Sequence, residues 1–232
     1  MLLLILFGMM AVLTIPMYLY KKEPVRKTQN NILYAKVYDS IYFNPEKFDR
    51  EMKVLTPTES SYVLDVGCGT GDRVGAVYNT VGVDNSTSML AVARQKYPDK
   101  EFVEGDVMKT NTFAKDTFTT VWCLGNTIYS LPNKFPFLQN VYRWLDSNGT
   151  FVVQLDGKTC EPSIYPKLFE YKLQRIGNTC RERIRGNREA TTVHTTFYPI
   201  PRTRLLELAK QAGFVLLRTE NNDLYFFRKS LF

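Results

Sequence analysis

A single histidine, His194, stands in 232 residues, and the cysteines Cys68, Cys123, Cys160 and Cys180 include no C-x-x-C pair. Without ligand spacing no metal centre is expected, and the cysteines read as reduced thiols. No repeat or low-complexity tract divides the chain. The roughly 200 residues that follow the N-terminal segment are the size of one α/β domain with its own core, expected as a monomer. Residues 1–20, MLLLILFGMMAVLTIPMYLY, lack any charged side chain. As a helix, Leu2 to Tyr20 is about 28 Å long, close to the thickness of a hydrocarbon core. A cleavable signal peptide calls for basic residues ahead of a shorter apolar run and for a small-x-small cleavage site, and these are missing too. An uncleaved transmembrane anchor is therefore favoured over a signal peptide or a peripheral helix.

The basic residues Lys21, Lys22, Arg26 and Lys27 all follow the apolar run. The positive-inside rule then leaves the rest of a single-pass membrane protein in the cytoplasm. The expected division is an anchor at 1–20, a basic linker at 21–30 and one domain at 31–232. The formal charge of +7 is uneven: residues 21–27 carry +3, residues 28–157 carry −3 and residues 158–232 carry +7.

The informative stretch is Tyr62 to Asp84, YVLDVGCGTGDRVGAVYNTVGVD. Val63, Leu64 and Val66 form an apolar, β-branched run suited to a buried strand. It breaks into Gly67, Gly69 and Gly71, whose freedom at positive φ lets a ligand lie against the main chain. A second apolar run, Val81-Gly82-Val83, ends on Asp84, a carboxylate placed at a strand tip to accept both hydroxyls of a ribose. Dinucleotide loops follow G-x-G-x-x-G, whereas this one is G-C-G-T-G with Asp65 two residues before it. That negative charge suits a ligand carrying an ammonium and a sulfonium better than a pyrophosphate.

With VLDVGCGTG and Asp84 in place, the chain resembles the class I S-adenosylmethionine-dependent methyltransferases from about Tyr34 to its C-terminus. The resemblance implies S-adenosyl-L-methionine as cofactor, held by Asp65, Gly67, Gly69, Gly71 and Asp84. Asp106 would accept from the adenine amine, with the Val107 N–H against the ring. The strand FTTVWCL ends at Leu124 and breaks into Gly125-Asn126-Thr127-Ile128-Tyr129. Ligands lie beyond strand carboxyl ends, so Leu124 should face the cofactor, with Asn126 and Tyr129 toward the methyl acceptor. CLGNT is similar to a segment of glycine-type N-methyltransferases. One departure from the family is the short interval between Gly71 and Asp84, which predicts a short helix there.

Tyr34, Tyr38 and Tyr42 recur at helical spacing and share one face, which either packs on the core or covers the site. Tyr34 and Tyr38 with Asp39 are similar to the Y-x-x-x-Y-D lid segment of small-molecule methyltransferases, which makes Tyr38 a candidate catalytic residue. His194 is either a structural hydrogen-bonding residue or a general base. The basic run Arg181, Arg183, Arg185 and Arg188 reads as a solvated connection between two strands. An anionic substrate, a membrane surface or RNA are its functional alternatives. Strand, helix and glycine-bearing turn alternate, which predicts an α/β, Rossmann-like, doubly wound and mostly parallel sheet, with an antiparallel last strand by resemblance to the family. The expected activity is methyl transfer to a small-molecule or lipid-like acceptor at a membrane. The alternatives are a nucleic-acid or protein methyltransferase docking through the basic section, or a cofactor-binding scaffold without catalysis.

Overall fold

The computed structural model describes residues 31–157, 161–162, 170–185 and 190–230. The expected anchor and linker lie outside them. Among the described residues no helix is long and apolar enough to cross a membrane.

The tyrosine-bearing region is two helices, α1 (Ile32–Tyr42) and α2 (Pro45–Leu55). Asn44 breaks the run: its backbone is extended, its side chain accepts from the Lys47 N–H, and Pro45 occupies the first turn, where no backbone donor is needed. The strands are β1 (Val63–Val66), β2 (Thr80–Asp84), β3 (Glu101–Glu104), β4 (Phe118–Cys123), β5 (Leu145–Gln154), β6 (Glu170–Ile176), β7 (Thr179–Arg185), β8 (Ala190–Thr196), β9 (Phe214–Glu220) and β10 (Leu224–Lys229). Between them lie α3 (Asp72–Ala76), α4 (Thr87–Lys96), α5 (Thr127–Ser130), α6 (Lys134–Trp144) and α7 (Arg202–Gln211).

Seven strands form one sheet in the order β3-β2-β1-β4-β5-β10-β9. β1 to β5 pair in parallel, and the last strand, β10, runs antiparallel to both neighbours, as expected. The central strands β1, β2 and β4 are mostly apolar because both faces are covered. Val121, Cys123, Phe151 and Val153 pack with Phe137, Leu138 and Val141 of α6 and Leu205 of α7. Trp122, Leu124 and Val152 pack with Leu55 of α2 on the opposite face. The helix after the glycine loop, α3, is short, five residues, as the spacing predicts.

A second, antiparallel sheet, β6-β7-β8, is inserted between β5 and α7. The basic run expected to be a connection instead supplies its central strand. Cys180, Glu182 and Ile184 are buried and Arg183 and Arg185 exposed, the alternation of a strand with one covered face. The expectation of four reduced cysteines is also corrected: Cys180 is disulfide-bonded, while Cys68 and Cys123 are free and buried.

Candidate active site

The connections leaving β1 and β4 run to opposite sides of the sheet, so a crevice opens at their carboxyl ends. The glycine loop lies there, with φ of +68° at Gly67, +56° at Gly69 and +85° at Gly71. Gly67 and Cys68 donate to the Val83 carbonyl at 2.8 and 3.1 Å, tying the loop to the end of β2. The Asp84 carboxylate accepts from the Gly69 N–H at 3.0 Å and the Ser86 N–H at 2.8 Å. Burial pushes the Asp84 carboxyl above the usual range, and these N–H groups hold it back.

The three glycines have different reasons to be glycine. A Cβ on Gly67 would lie 2.5 Å from Oγ1 of Thr127, and one on Gly71 would lie 2.7 Å from the Phe102 ring. Those two let the loop pack against α5 and β3. A Cβ on Gly69 or on Gly125 would meet nothing within 4 Å. Gly69 and Gly125 border a cleft of about 900 Å³. A smaller cavity of about 530 Å³ adjoins it, and both share Gly67, Asp84, Asn85, Thr127 and Ser130. Together they make one groove across the strand ends.

Asp106 and Val107 border the smaller cavity, where the Asp106 Oδ1 accepts from the Met108 N–H at 2.9 Å. Leu124, Tyr38 and Asn126 line the larger cleft with Gly67, Gly69 and Asp84. Asp65 is buried under the loop and borders neither cavity. Burial pushes its carboxyl up to about 7, against the pull of the Arg73 guanidinium. Gly71 likewise borders neither.

Two expected acceptor-site residues are placed elsewhere. Tyr129 packs into the core, and its hydroxyl accepts from the Gly157 N–H at 3.1 Å, because the α5 turn directs the ring beneath the sheet end. His194 is exposed on β8, in register with Arg181, and borders the smaller cavity beside Asp106, away from Tyr38 and Asn126. The tyrosine face of α1 is divided: Tyr34 is buried, while Tyr38 and Tyr42 reach the cleft. Asp39 accepts from Thr70 of the loop and, at 2.7 Å, from Lys96, which fastens α1 over the glycine loop.

Two groups escaped sequence reasoning. Glu182 accepts from the hydroxyls of Tyr34 at 3.2 Å, Tyr42 at 2.6 Å and Tyr171 at 3.1 Å. An acid alternating with Cys180 and Ile184 was its signal. Glu51 is 3% exposed and joins Arg73 at 2.8 Å to Gln154 at 2.9 Å, and Gln154 in turn accepts from the Gly125 N–H at 2.8 Å. No local pattern marks that network, since its members lie on α2, α3 and β5.

The chemistry of the groove fits the cofactor. Among buried polar atoms, Arg73 Nε and Asn126 Oδ1, on residues that line the larger cleft, have no protein partner, and neither has Asp65 Oδ2, whose acid lies behind the glycine loop. Gly69 supplies a main-chain wall that a side chain would fill.

Comparison with known proteins agrees. Residues 64–153 match the Methyltransferase domain family. A trans-aconitate 2-methyltransferase of Escherichia coli O7:K1 is 27% identical over 132 residues, covering 53% of this chain and 51% of the relative. The chain thus spans about half the length of that relative. A 2-phytyl-1,4-naphtoquinone methyltransferase of Thermosynechococcus vestitus is 28% identical over 196 residues, 78% of this chain and 85% of the relative. The fold is shared with the S-adenosylmethionine-bound amino pentose methyltransferase CalS10 of Micromonospora echinaspora, at a TM-score of 0.57 and 18% identity over 85% of this chain and 97% of that one. Residues 64–153 thus match a methyltransferase domain, and the fold is that of solved S-adenosylmethionine-dependent methyltransferases.

Proposed function

We propose that the protein transfers a methyl group from S-adenosylmethionine to a small-molecule acceptor in the larger cleft. The observation that carries this reading is Asp84 fixed by the Gly69 and Ser86 N–H groups at the edge of an open groove. Asp84 holds the ribose, Asp106 and Val107 the adenine, and Arg73 with the buried charge of Asp65 the amino-acid end. The cofactor, when bound, supplies an activated methyl on a sulfonium. The protein's part is to orient the acceptor beside Asn126 and Tyr38 and to exclude water, since in-line approach carries much of the rate of such a transfer.

Asp84→Ala removes charge-assisted hydrogen bonds of roughly 1.5–3 kcal/mol, about ten- to hundredfold in affinity. Calorimetry with S-adenosylhomocysteine reads this directly. Unchanged affinity, or a wild-type protein that prefers NAD, would sink the proposal.

A second reading rests on Lys172, Arg181, Arg183 and Arg185, which share the outer face of the inserted sheet. A nucleic-acid acceptor docking there binds with a steep salt dependence, from counterion release. Residues 1–20 are further proposed to anchor the domain at a membrane, on the strength of their length, apolarity and basic flank.

A further inference from the structure

Eight carboxylates and three basic side chains line the larger cleft. All three bases are engaged. Lys47 lies 3.1 Å from Asp156 and 3.8 Å from Glu51, Arg73 lies 2.8 Å from Glu51, and Arg50 pairs at 4.0 Å with Glu46 outside the cleft. The larger cleft therefore offers an anionic acceptor no guanidinium or ammonium that is not already opposed by a carboxylate. Among the described residues, two of the acids have no basic partner. Asp84 is met by backbone N–H groups, and Glu182, 2% exposed, by phenols alone.

The environment of Glu182 is aromatic. Tyr34 and Tyr38 meet edge to face with centroids 5.7 Å apart, and Tyr38 and Tyr42 lie at 4.9 Å. Tyr38 is the middle ring, and it lines the cleft with Tyr42 and Glu182. Burial first, and then the negative charge of Glu182, Asp84 and Asp39 against the pull of Arg73, pushes the ionisation of its hydroxyl up. Aromatic faces backed by carboxylates attract organic cations, and do so more strongly where water is excluded.

Resting on the methyltransferase reading, we propose that the acceptor is an amine recognised as its ammonium by Tyr38, Tyr42 and Glu182, and not a carboxylic acid or a phosphate. Glu182 accepts three phenolic hydrogen bonds, two on Oε2 and one on Oε1, of the roughly four a carboxylate can take. An ammonium must lose a proton before its nitrogen attacks, and the remaining lone pair of Oε1 receives it. The N–H bond breaks, an O–H bond forms, and the electron pair stays on nitrogen.

The test uses the full chain saturated with S-adenosylhomocysteine and three probes of one shape, benzylammonium, benzyl alcohol and benzoate, with binding followed by ligand-observed NMR. Benzylammonium should bind at least tenfold more tightly than the alcohol or the benzoate. Glu182→Gln should weaken benzylammonium at least tenfold while leaving S-adenosylhomocysteine affinity within about twofold. Tyr38→Leu, which removes a ring without breaking a protein hydrogen bond, should weaken benzylammonium as well and serves alone if Glu182→Gln does not fold. Equal or tighter binding of benzoate or the alcohol, no effect of either variant, or an equal loss of S-adenosylhomocysteine binding in Glu182→Gln overturns the assignment. If the wild-type protein does not bind S-adenosylhomocysteine, the methyltransferase reading itself fails. If it binds but shows no cation preference, only the acceptor class fails.

Discussion

Gly67 and Gly69 are two residues apart, and alanine at each should fail differently. Both have positive φ, which for a residue with a Cβ costs about 1–2 kcal/mol. At Gly67 the new methyl also strikes Thr127, and overpacking adds about 1–3 kcal/mol, so Gly67→Ala should lower the melting temperature of the cofactor-free protein by many degrees. At Gly69 the methyl enters open space, so the variant should fold and melt within a few degrees of wild type yet lose S-adenosylhomocysteine affinity at least tenfold. Undiminished S-adenosylhomocysteine affinity in Gly69→Ala would show that the open side of Gly69 is not where the cofactor lies. Asp65 provides a pH-dependent case. Its folded carboxyl, pushed up to about 7 by burial, stands above an unfolded value of about 3.9, so the folded state holds the proton more tightly. That contribution is complete below about pH 4 and is lost as pH rises to about 7, leaving a buried charge worth on the order of 4 kcal/mol against the cofactor-free fold. Scanning calorimetry should therefore find Asp65→Asn more stable than wild type at pH 8 and similar to it near pH 4, while its cofactor affinity falls. A variant that melts lower than wild type at pH 8 would count against an ionised, unpaired Asp65.

At the scale of elements, the parts legible in the sequence are those built from neighbours along the chain. The β1 run, the three glycines, the shortness of α3 and the Ser86 cap of α4, which accepts from the Met89 N–H at 3.2 Å, all follow from local spacing. What stayed hidden depends on contacts between distant segments. β7 reads as a charged connection until β6 and β8 pair along its edges and α1 covers its Glu182 and Ile184 side. Tyr129 reads as a cleft residue until the α5 turn commits its hydroxyl to Gly157. The network around Gln154 is the clearest instance. Its amide donates to Glu51 of α2 and, at 2.8 Å, to Asp223 between β9 and β10, and its carbonyl takes the Gly125 N–H, so one side chain sets three walls of the cleft. Gln154→Leu preserves volume but takes one donor from Glu51, which keeps Arg73, and leaves the Gly125 N–H without its acceptor, the latter at about 1–3 kcal/mol. The expected outcome is a lower urea midpoint, together with faster amide hydrogen exchange at Gly125. An unchanged midpoint would mean that water replaces the amide at little cost.

For the whole molecule, if residues 1–20 anchor it as proposed, two features disagree about the side of the membrane on which the domain would lie. Disulfides such as that of Cys180 persist in oxidising compartments and are rare in the cytosol. The charge rule, acting through Lys21, Lys22, Arg26 and Lys27 after an uncharged run, keeps the domain cytosolic. The site itself weighs in. Asn85 begins an N-x-T sequon, is exposed, and borders both cavities next to Asp84. A glycan there, acquired in the secretory lumen, would stand in the groove, whereas the cytosol leaves Asn85 bare. The prediction is accordingly a cytosolic domain on the proposed uncleaved anchor. A reporter fused after Phe232 should be digested by protease added to intact microsomes, and the protein should resist carbonate extraction. Protection of the reporter and a glycosidase-sensitive shift in mass would together place the domain on the opposite side, and would leave a groove obstructed by its own glycan to be explained.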